Sequence, residues 1–374
     1  MKILILDQFS ELGGAQRVLL ELLPAFQREG WTTLLAAPGG GPLRTHAAEL
    51  GIACREIVCG PFGCGGKSLV DHIRFGAQLI PMRKQLRLLV QEFDPDLLYV
   101  NGPRLVPAAC SLGAYAPPIV FHSHSYLKPA YLASATGFFL RRTRATILAN
   151  CRYVLDPLRG YVQDISAEVI YNGVADCGFR AERRRTGRIG IIGRISLEKG
   201  QRVFVEAAAH VHRSFPGSSF VIAGATQFGD LPAEKYFTDI RELARGSPVE
   251  FIGWQEDVGE VLRTLDLLVV ASLPKSEATT RVIPEAFSAG VPVVASDLPG
   301  IREILVDGES GFLFPAGDSV ALGNRIREIL TMAPERLAGV ACTARRTYEE
   351  RFTLPDFHRR IISSLKRVGA SDRA

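Results

Sequence analysis

Short apolar runs alternate with helix-periodic segments along almost the whole chain, and no other feature limits its fold so strongly. Residues 3–6, 32–37, 97–100, 119–121 and 146–149 read as strands, and 14–29 has helical periodicity, stopped at Gly30. Strands that are apolar on both faces belong to parallel sheets covered by helices. The segment 146–149 closes the first half. The stretch 171–187 then breaks the alternation with Asn172-Gly173, Gly178 and Arg183-Arg184-Arg185, which marks a linker. The pattern restarts with a strand at 188–192, a helix from about Gln201 to Phe215, and strands at 220–223, 249–252, 267–270 and 291–294. At 374 residues the chain exceeds one ordinary core. The fold class expected is α/β, with two doubly wound Rossmann-like domains of similar size facing a cleft.

Composition narrows the function. A hydrophobic content of 47% and a charged content of 22% describe a soluble globular protein. No apolar stretch has the length of a membrane-spanning helix, and Met1–Asp7 is too short for a signal peptide. The seven cysteines are odd in number and scattered, which points to reduced thiols in the cytoplasm. Cys54, Cys59 and Cys64 fit no zinc spacing. The net charge of +5 is clustered. Arg74, Arg83, Lys84 and Arg87 share a helical segment with Ile73, Leu79, Ile80, Leu86 and Leu89, and Arg141, Arg142 and Arg144 form a second group. Such a helix suits either an anionic membrane surface or a solvated face. With no nucleic-acid motif or aromatic-interleaved basic stripe, DNA and RNA are set aside.

The chemistry-bearing residues lie just beyond strands. In an open parallel sheet that edge is where ligands bind. Gly13-Gly14 opens the first helix, where glycine admits a close backbone approach and the helix N-terminus favours an anion. The G-x-G-x-x-G spacing of dinucleotide enzymes is absent, which excludes a dehydrogenase. Gly193-Arg194-Ile195-Ser196-Leu197-Glu198-Lys199-Gly200 follows another strand and enters another helix. Arg194 and Lys199 there could grip a diphosphate, or Arg194 could pair with Glu198 while Lys199 is solvated. His122 and His124 alternate at a strand end, so both project to one side. No third metal ligand is visible, and hydrogen bonding in the cleft is favoured for them. Asn101, past its own strand, is a weaker choice for the cleft. Glu277 and Glu285 bracket a loop and the start of a helix, and suggest hydroxyl recognition.

These pieces occur in one order. Gly13-Gly14, His124, Tyr171-Asn172-Gly173-Val174, Gly193-Arg194, Glu198-Lys199-Gly200, Glu277-x7-Glu285 and Pro292–Glu303 with Gly308 and Gly311 together resemble a retaining glycosyltransferase of family 4 with the GT-B fold. The resemblance spans nearly the whole chain and is most specific from Tyr171 to Phe314. It implies an N-terminal acceptor-side domain at 1–175, a nucleotide-sugar-binding domain at 176–350, and a segment 351–374 that packs back on the first. It implies that Arg194 and Lys199 hold the donor diphosphate, Glu285 the ribose hydroxyls and Glu277 the donor sugar. Gly14 would turn its amide to phosphate or sugar, and His124, with His122 as second choice, would contact the sugar. Gly193 belongs to the same donor-binding set. The donor would be a UDP- or GDP-sugar and the acceptor a saccharide or lipid-linked saccharide of envelope or exopolysaccharide biosynthesis. Neither a metal nor a cofactor is expected, and the protein would be cytoplasmic, or peripheral on the inner membrane face. Thr279-Thr280 departs from the family, where an aromatic and a glycine are usual, so the threonine hydroxyls join the donor-binding set and the sugar stays open. A nucleotide-sugar epimerase of the same fold and a non-catalytic nucleotide-sugar-binding subunit are the alternatives.

Overall fold

The structure is a computed structural model, and it describes residues 1–60, 69–113, 116–161, 163, 165–180, 186–226, 231–274 and 279–371. The chain divides into two compact units, Met1–Asn172 with Pro355–Ala374, and Gly173–Leu354.

The first unit is built on seven parallel strands, β1 (Lys2–Asp7), β2 (Thr32–Ala37), β3 (Ala53–Glu56), β4 (Leu97–Asn101), β5 (Ile119–Ser123), β6 (Thr146–Ala149) and β7 (Ala167–Val169). Their order is β3-β2-β1-β4-β5-β6-β7. Helices α1 (Gly14–Arg28), α2 (Pro42–Glu49), α3 (Leu69–Phe93), α4 (Val106–Cys110) and α5 (Ala130–Thr143) connect them. The central strands are apolar at every core position; Ile3 to Leu6 are fully buried. Leu86, Leu98, Phe121, Leu140 and Ile147 belong to the same core.

The second unit repeats the plan with six parallel strands, β8 (Arg188–Ile192), β9 (Ser219–Ala223), β10 (Val249–Gly253), β11 (Leu267–Val270), β12 (Val293–Ser296) and β13 (Phe312–Phe314), in the order β10-β9-β8-β11-β12-β13. Its helices are α6 (Gln201–Ser214), α7 (Leu231–Leu243), α8 (Val258–Thr264), α9 (Val282–Ala289), α10 (Pro299–Arg302), α11 (Ser319–Thr331) and α12 (Pro334–Arg351). Phe204, Phe220 and Phe312 anchor its core. The last helix, α13 (Leu354–Ser371), runs into the first unit. There Lys366 reaches Glu29 at 2.6 Å and Arg367 reaches Glu168 at 2.7 Å.

Three strands differ from the sequence reading. β3 and β7 carry no apolar run, β13 is only the three-residue Phe-Leu-Phe, and β7 extends the first sheet beyond the segment 146–149 that closes the first half in the sequence reading. All three are sheet edges of three or four residues. An edge strand needs fewer buried side chains, because its one neighbour supplies the ladder.

In each sheet the strand order reverses once between neighbouring crossovers. The reversal lies between β1 and β4 in the first sheet and between β8 and β11 in the second. At such a point the loops leave in opposite directions and open a crevice at the carboxyl ends of the strands. Gly14 and Asn101 sit at the first of these places and Gly193, Arg194 and Lys199 at the second, while His122 and His124 lie one strand further at the end of β5 and Glu285 lies on α9 after β11.

Candidate active site

At the β1/β4 reversal, Asp7 and Asn101 are paired in register at the last position of their strands. Asp7 is fully buried, and donors surround it: Phe9 N–H at 2.9 Å and Gln16 Nε2 at 2.9 Å meet Oδ1, and Asn101 Nδ2 meets Oδ2 at 2.5 Å. Burial pushes its carboxyl up to about 6, against the opposing pull of Asn101, Phe9 and Gln16. Gln16 also accepts the Gly13 N–H through Oε1 at 3.1 Å, so it ties the start of α1 to the end of β1. A Cβ on Gly13 would press on that oxygen at 2.9 Å, whereas one on Gly14 would meet nothing within 4 Å. Gly14 therefore lies open at the first turn of α1, which has no acidic side chain.

One strand further, His124 Nε2 lies 2.8 Å from Asn101 Oδ1. Burial draws the His124 imidazole down to about 3, so the ring is neutral. The His122 ring lies 3.9 Å from that of His124, centroid to centroid. His122 is fully buried and bonded through Nδ1 to the Tyr99 hydroxyl. Burial lowers its basicity further. Of the two histidines, His124 alone keeps some exposure, and His122 serves as the wall behind it. Asn150, past β6, donates to the His124 carbonyl at 3.4 Å.

The β8/β11 reversal is different. The loop 193–200 leaves β8, makes a single 3-10 turn at Leu197–Lys199, and enters α6 through Gly200. Gly200 has φ +67°, and a Cβ there would stand 1.9 Å from the Ala271 carbonyl oxygen just beyond β11. Only glycine serves at that position, because both the left-handed backbone and the close approach reject a side chain. Glu198 O accepts the Leu273 N–H at 2.8 Å, which joins the loops after β8 and β11. Gln201 Nε2 donates to the Arg194 carbonyl at 2.8 Å. Arg194 and Lys199 are half-buried on this braced loop, next to the N-terminus of α6, whose first turn has no acid. Burial works to raise the Glu198 carboxyl, but the nearby Ser196 hydroxyl, the backbone and the charges of Arg194 and Lys199 outweigh it and hold it low.

Glu285 lies in the first turn of α9, and both it and Arg281 are largely buried. Arg281 Nε stands 3.7 Å from Glu285 Oε1, and its Nη1 donates to the Gly173 carbonyl at 3.4 Å. Thr280 is buried and Thr279 half-buried just before this helix. Glu277 lies outside the described residues. Among the described residues no three His, Cys, Asp or Glu side chains cluster as metal ligands.

The structure thus places Arg194, Lys199, Gly193, Thr279, Thr280 and Glu285 in one unit, and Gly14, Asn101, His122 and His124 in the other. Sequence reasoning missed Asp7, Gln16 and Arg281. Asp7 ends an apolar strand and Arg281 stands four residues before Glu285, and both signals are visible in hindsight.

Two family models match the chain. Residues 12–176 match the one described as Glycosyltransferase Family 4, and residues 186–332 the one described as Glycosyl transferases group 1. The lipopolysaccharide core biosynthesis glycosyltransferase LpsE of Rhizobium meliloti (strain 1021) is 30% identical over 346 residues, 86% of this chain and 87% of that one. The phosphatidyl-myo-inositol mannosyltransferase of Mycobacterium leprae (strain TN) is 25% identical over 361 residues, 91% of this chain and 90% of that one. A shorter match to the putative glycosyltransferase EpsD of Bacillus subtilis (strain 168), 33% identical over 135 residues, covers 36% of this chain and 34% of that one. Among solved structures, HepE of Anabaena in complex with UDP-glucose is similar with a TM-score of 0.81 at 23% identity, covering 98% of this chain and 100% of that one.

Proposed function

The chain belongs to the group 1, family 4 glycosyltransferases and has their GT-B fold, and from that membership we propose that it is a retaining, metal-independent enzyme. In this reading it moves a sugar from a UDP- or GDP-sugar to a saccharide or lipid-linked acceptor during polysaccharide or glycolipid assembly. One observation carries the proposal: two cations and the N-terminus of α6 stand together on a glycine-braced loop at the β8/β11 reversal.

The chemistry follows from that placement. The bond between the anomeric carbon and the diphosphate oxygen breaks, and the diphosphate leaves with the electron pair. The acceptor hydroxyl attacks from the same face, and its proton passes to the departing phosphate oxygen, so the anomeric configuration is kept. Negative charge grows on the diphosphate as it leaves. Arg194, Lys199 and the amides at the start of α6 are preorganised to stabilise it. Glu285 accepts the ribose hydroxyls, with Arg281 fixing its carboxylate. Thr279 and Thr280 offer hydroxyls toward the donor, and family membership assigns the donor sugar to Glu277, which lies outside the described residues. At the edge of the first sheet, Gly14 presents a backbone amide and His124 a neutral ring to the substrate. The relatives support the setting, since LpsE acts in lipopolysaccharide core biosynthesis and HepE binds UDP-glucose.

A lipid-linked acceptor would fit the exposed face of α3. Ile73 and Ile80 are 64% and 79% exposed there, with Arg83, Lys84 and Arg87 beside them. An apolar and basic face of this kind suits an anionic lipid surface. Among the described residues no helix is long and apolar enough to cross a membrane.

The deciding experiment screens UDP-, GDP- and ADP-sugars for binding and slow hydrolysis, then assigns the product anomer by proton NMR. Turnover of a UDP- or GDP-sugar with the donor's anomeric configuration kept is expected. An inverted product would sink retention, and conversion of a nucleotide-sugar to its epimer without acceptor would replace transfer by epimerisation.

A further inference from the structure

Asp7 is a buried acid that the transfer chemistry does not use. Yet it stands at the β1/β4 reversal, two hydrogen bonds from His124. Its ionised carboxylate can only accept hydrogen bonds. Asn101 must therefore turn its NH2 toward Asp7, and this leaves its carbonyl oxygen facing His124. A carbonyl oxygen likewise only accepts, so His124 must place its proton on Nε2. A neutral imidazole has one N–H, so Nδ1 is left as a lone pair. That nitrogen is buried and has no donor within the protein. A buried acceptor left unpaired is costly, and the fold retains one here at the carboxyl edge of the sheet, where ligands bind in folds of this kind.

We infer that Asp7 is a positioning residue which, through Asn101, locks His124 as the neutral Nε2–H tautomer and reserves Nδ1 as a hydrogen-bond acceptor for a substrate hydroxyl. Reaching a hydroxyl takes a small movement of the ring, because Nδ1 is sealed as it stands. The tautomer, by contrast, is set before any substrate arrives. A neutral ring also adds no positive charge near a carbon that becomes cationic as its leaving group departs. The other groups around Asp7 do not compete for its proton. Burial raises the Tyr99 hydroxyl and lifts the Cys59 thiol to about 12, while His122 and His124 stay neutral. Arg104, stacked on Phe9, remains cationic. The catalytic part of this inference rests on the proposed contact of His124 with substrate; the tautomer lock does not.

The test uses the whole chain labelled with 15N-histidine at pH 7.5. His124 is assigned among the seven histidines by its loss in His124→Gln. The wild type is expected to show the Nε2–H tautomer. In Asp7→Asn the side-chain amide faces Asn101 with a donor, so Asn101 must turn over and His124 should switch to Nδ1–H. In the double variant Asp7→Asn/Asn101→Asp an acceptor again meets Nε2, and the original tautomer should return. The kcat should follow the tautomer, falling roughly 10–100-fold in Asp7→Asn, as for other residues that orient a functional histidine, and recovering most of that in the double variant, with donor KM changed little. A wild-type Nδ1–H tautomer overturns the lock, and needs no variant to detect. An unchanged tautomer in Asp7→Asn also overturns it, as does a switch that leaves kcat untouched while His124→Gln is inactive. Should His124→Gln keep full turnover, the proposed substrate contact fails, and the NMR pattern alone then decides the lock.

Discussion

The two sheets share one plan and place opposite chemistry at the same point of it. At the β1/β4 reversal a fully buried acid is stitched to amides and neutral rings, and the strand ends themselves supply the groups. At the β8/β11 reversal the strand ends are plain, and the charge rides on a loop pinned by Gly200 against Ala271. The difference teaches what each edge is built to meet. A preset array of oriented donors and acceptors around a buried carboxylate suits hydroxyl groups, because it reads direction. Two half-buried cations beside a helix N-terminus select an anion.

The largest expected effect comes from the cationic edge. Arg194→Ala and Lys199→Ala should each slow turnover by about a hundred- to a thousand-fold, corresponding to ~3–4 kcal/mol of lost charge stabilisation, with thermal unfolding unchanged. Near-normal kcat in both variants would erase the distinction between the two edges.

The next effect sharpens the acidic edge. The Asp7 carboxyl is raised from 3.8 to about 6, chiefly by burial. The folded chain therefore holds this proton more tightly than the unfolded chain. Its contribution to stability is fully present below about pH 3.8 and is lost as the pH rises through about 6. The loss corresponds to about 3 kcal/mol. Urea unfolding of the wild type and Asp7→Asn at pH 4.5 and 7.5 should show the variant gaining relative stability at the higher pH. A difference that does not vary with pH would mean that the acid is well solvated by its amide partners.

The smallest effect concerns recognition on the second sheet. Glu285→Gln should weaken binding of UDP or GDP by roughly tenfold, as expected for removing the charge from a hydrogen bond. Calorimetric titration reads it directly, and an unchanged affinity for the preferred nucleotide would take the ribose away from Glu285.

Much of this was legible in the chain. The runs 97–100, 188–192 and 267–270 became β4, β8 and β11 because central parallel strands must be apolar on both faces. Arg194 and Lys199 were legible because glycines and a helix start flank them. The edge strands β3 and β7 were not, since Ala-Cys-Arg-Glu and Ala-Glu-Val have no apolar run to read, and β13 was not because Phe-Leu-Phe is only three residues long. Asp7 was read as the end of a strand and Asn101 as a weak site residue, and their bond spans 94 positions.

The sequence by itself determined that there would be two parallel sheets, where most central strands lie, and which residues stand at their carboxyl ends. These follow from local periodicity, which every window of the chain carries. The tertiary structure alone decided which strand ends meet. Asp7 faces Asn101 because β4 crosses over to lie beside β1, and Glu198 bonds Leu273 because β11 lies beside β8. Strand order is set by how crossovers bury helices on the two faces of a sheet, a balance over the whole core that no local pattern contains.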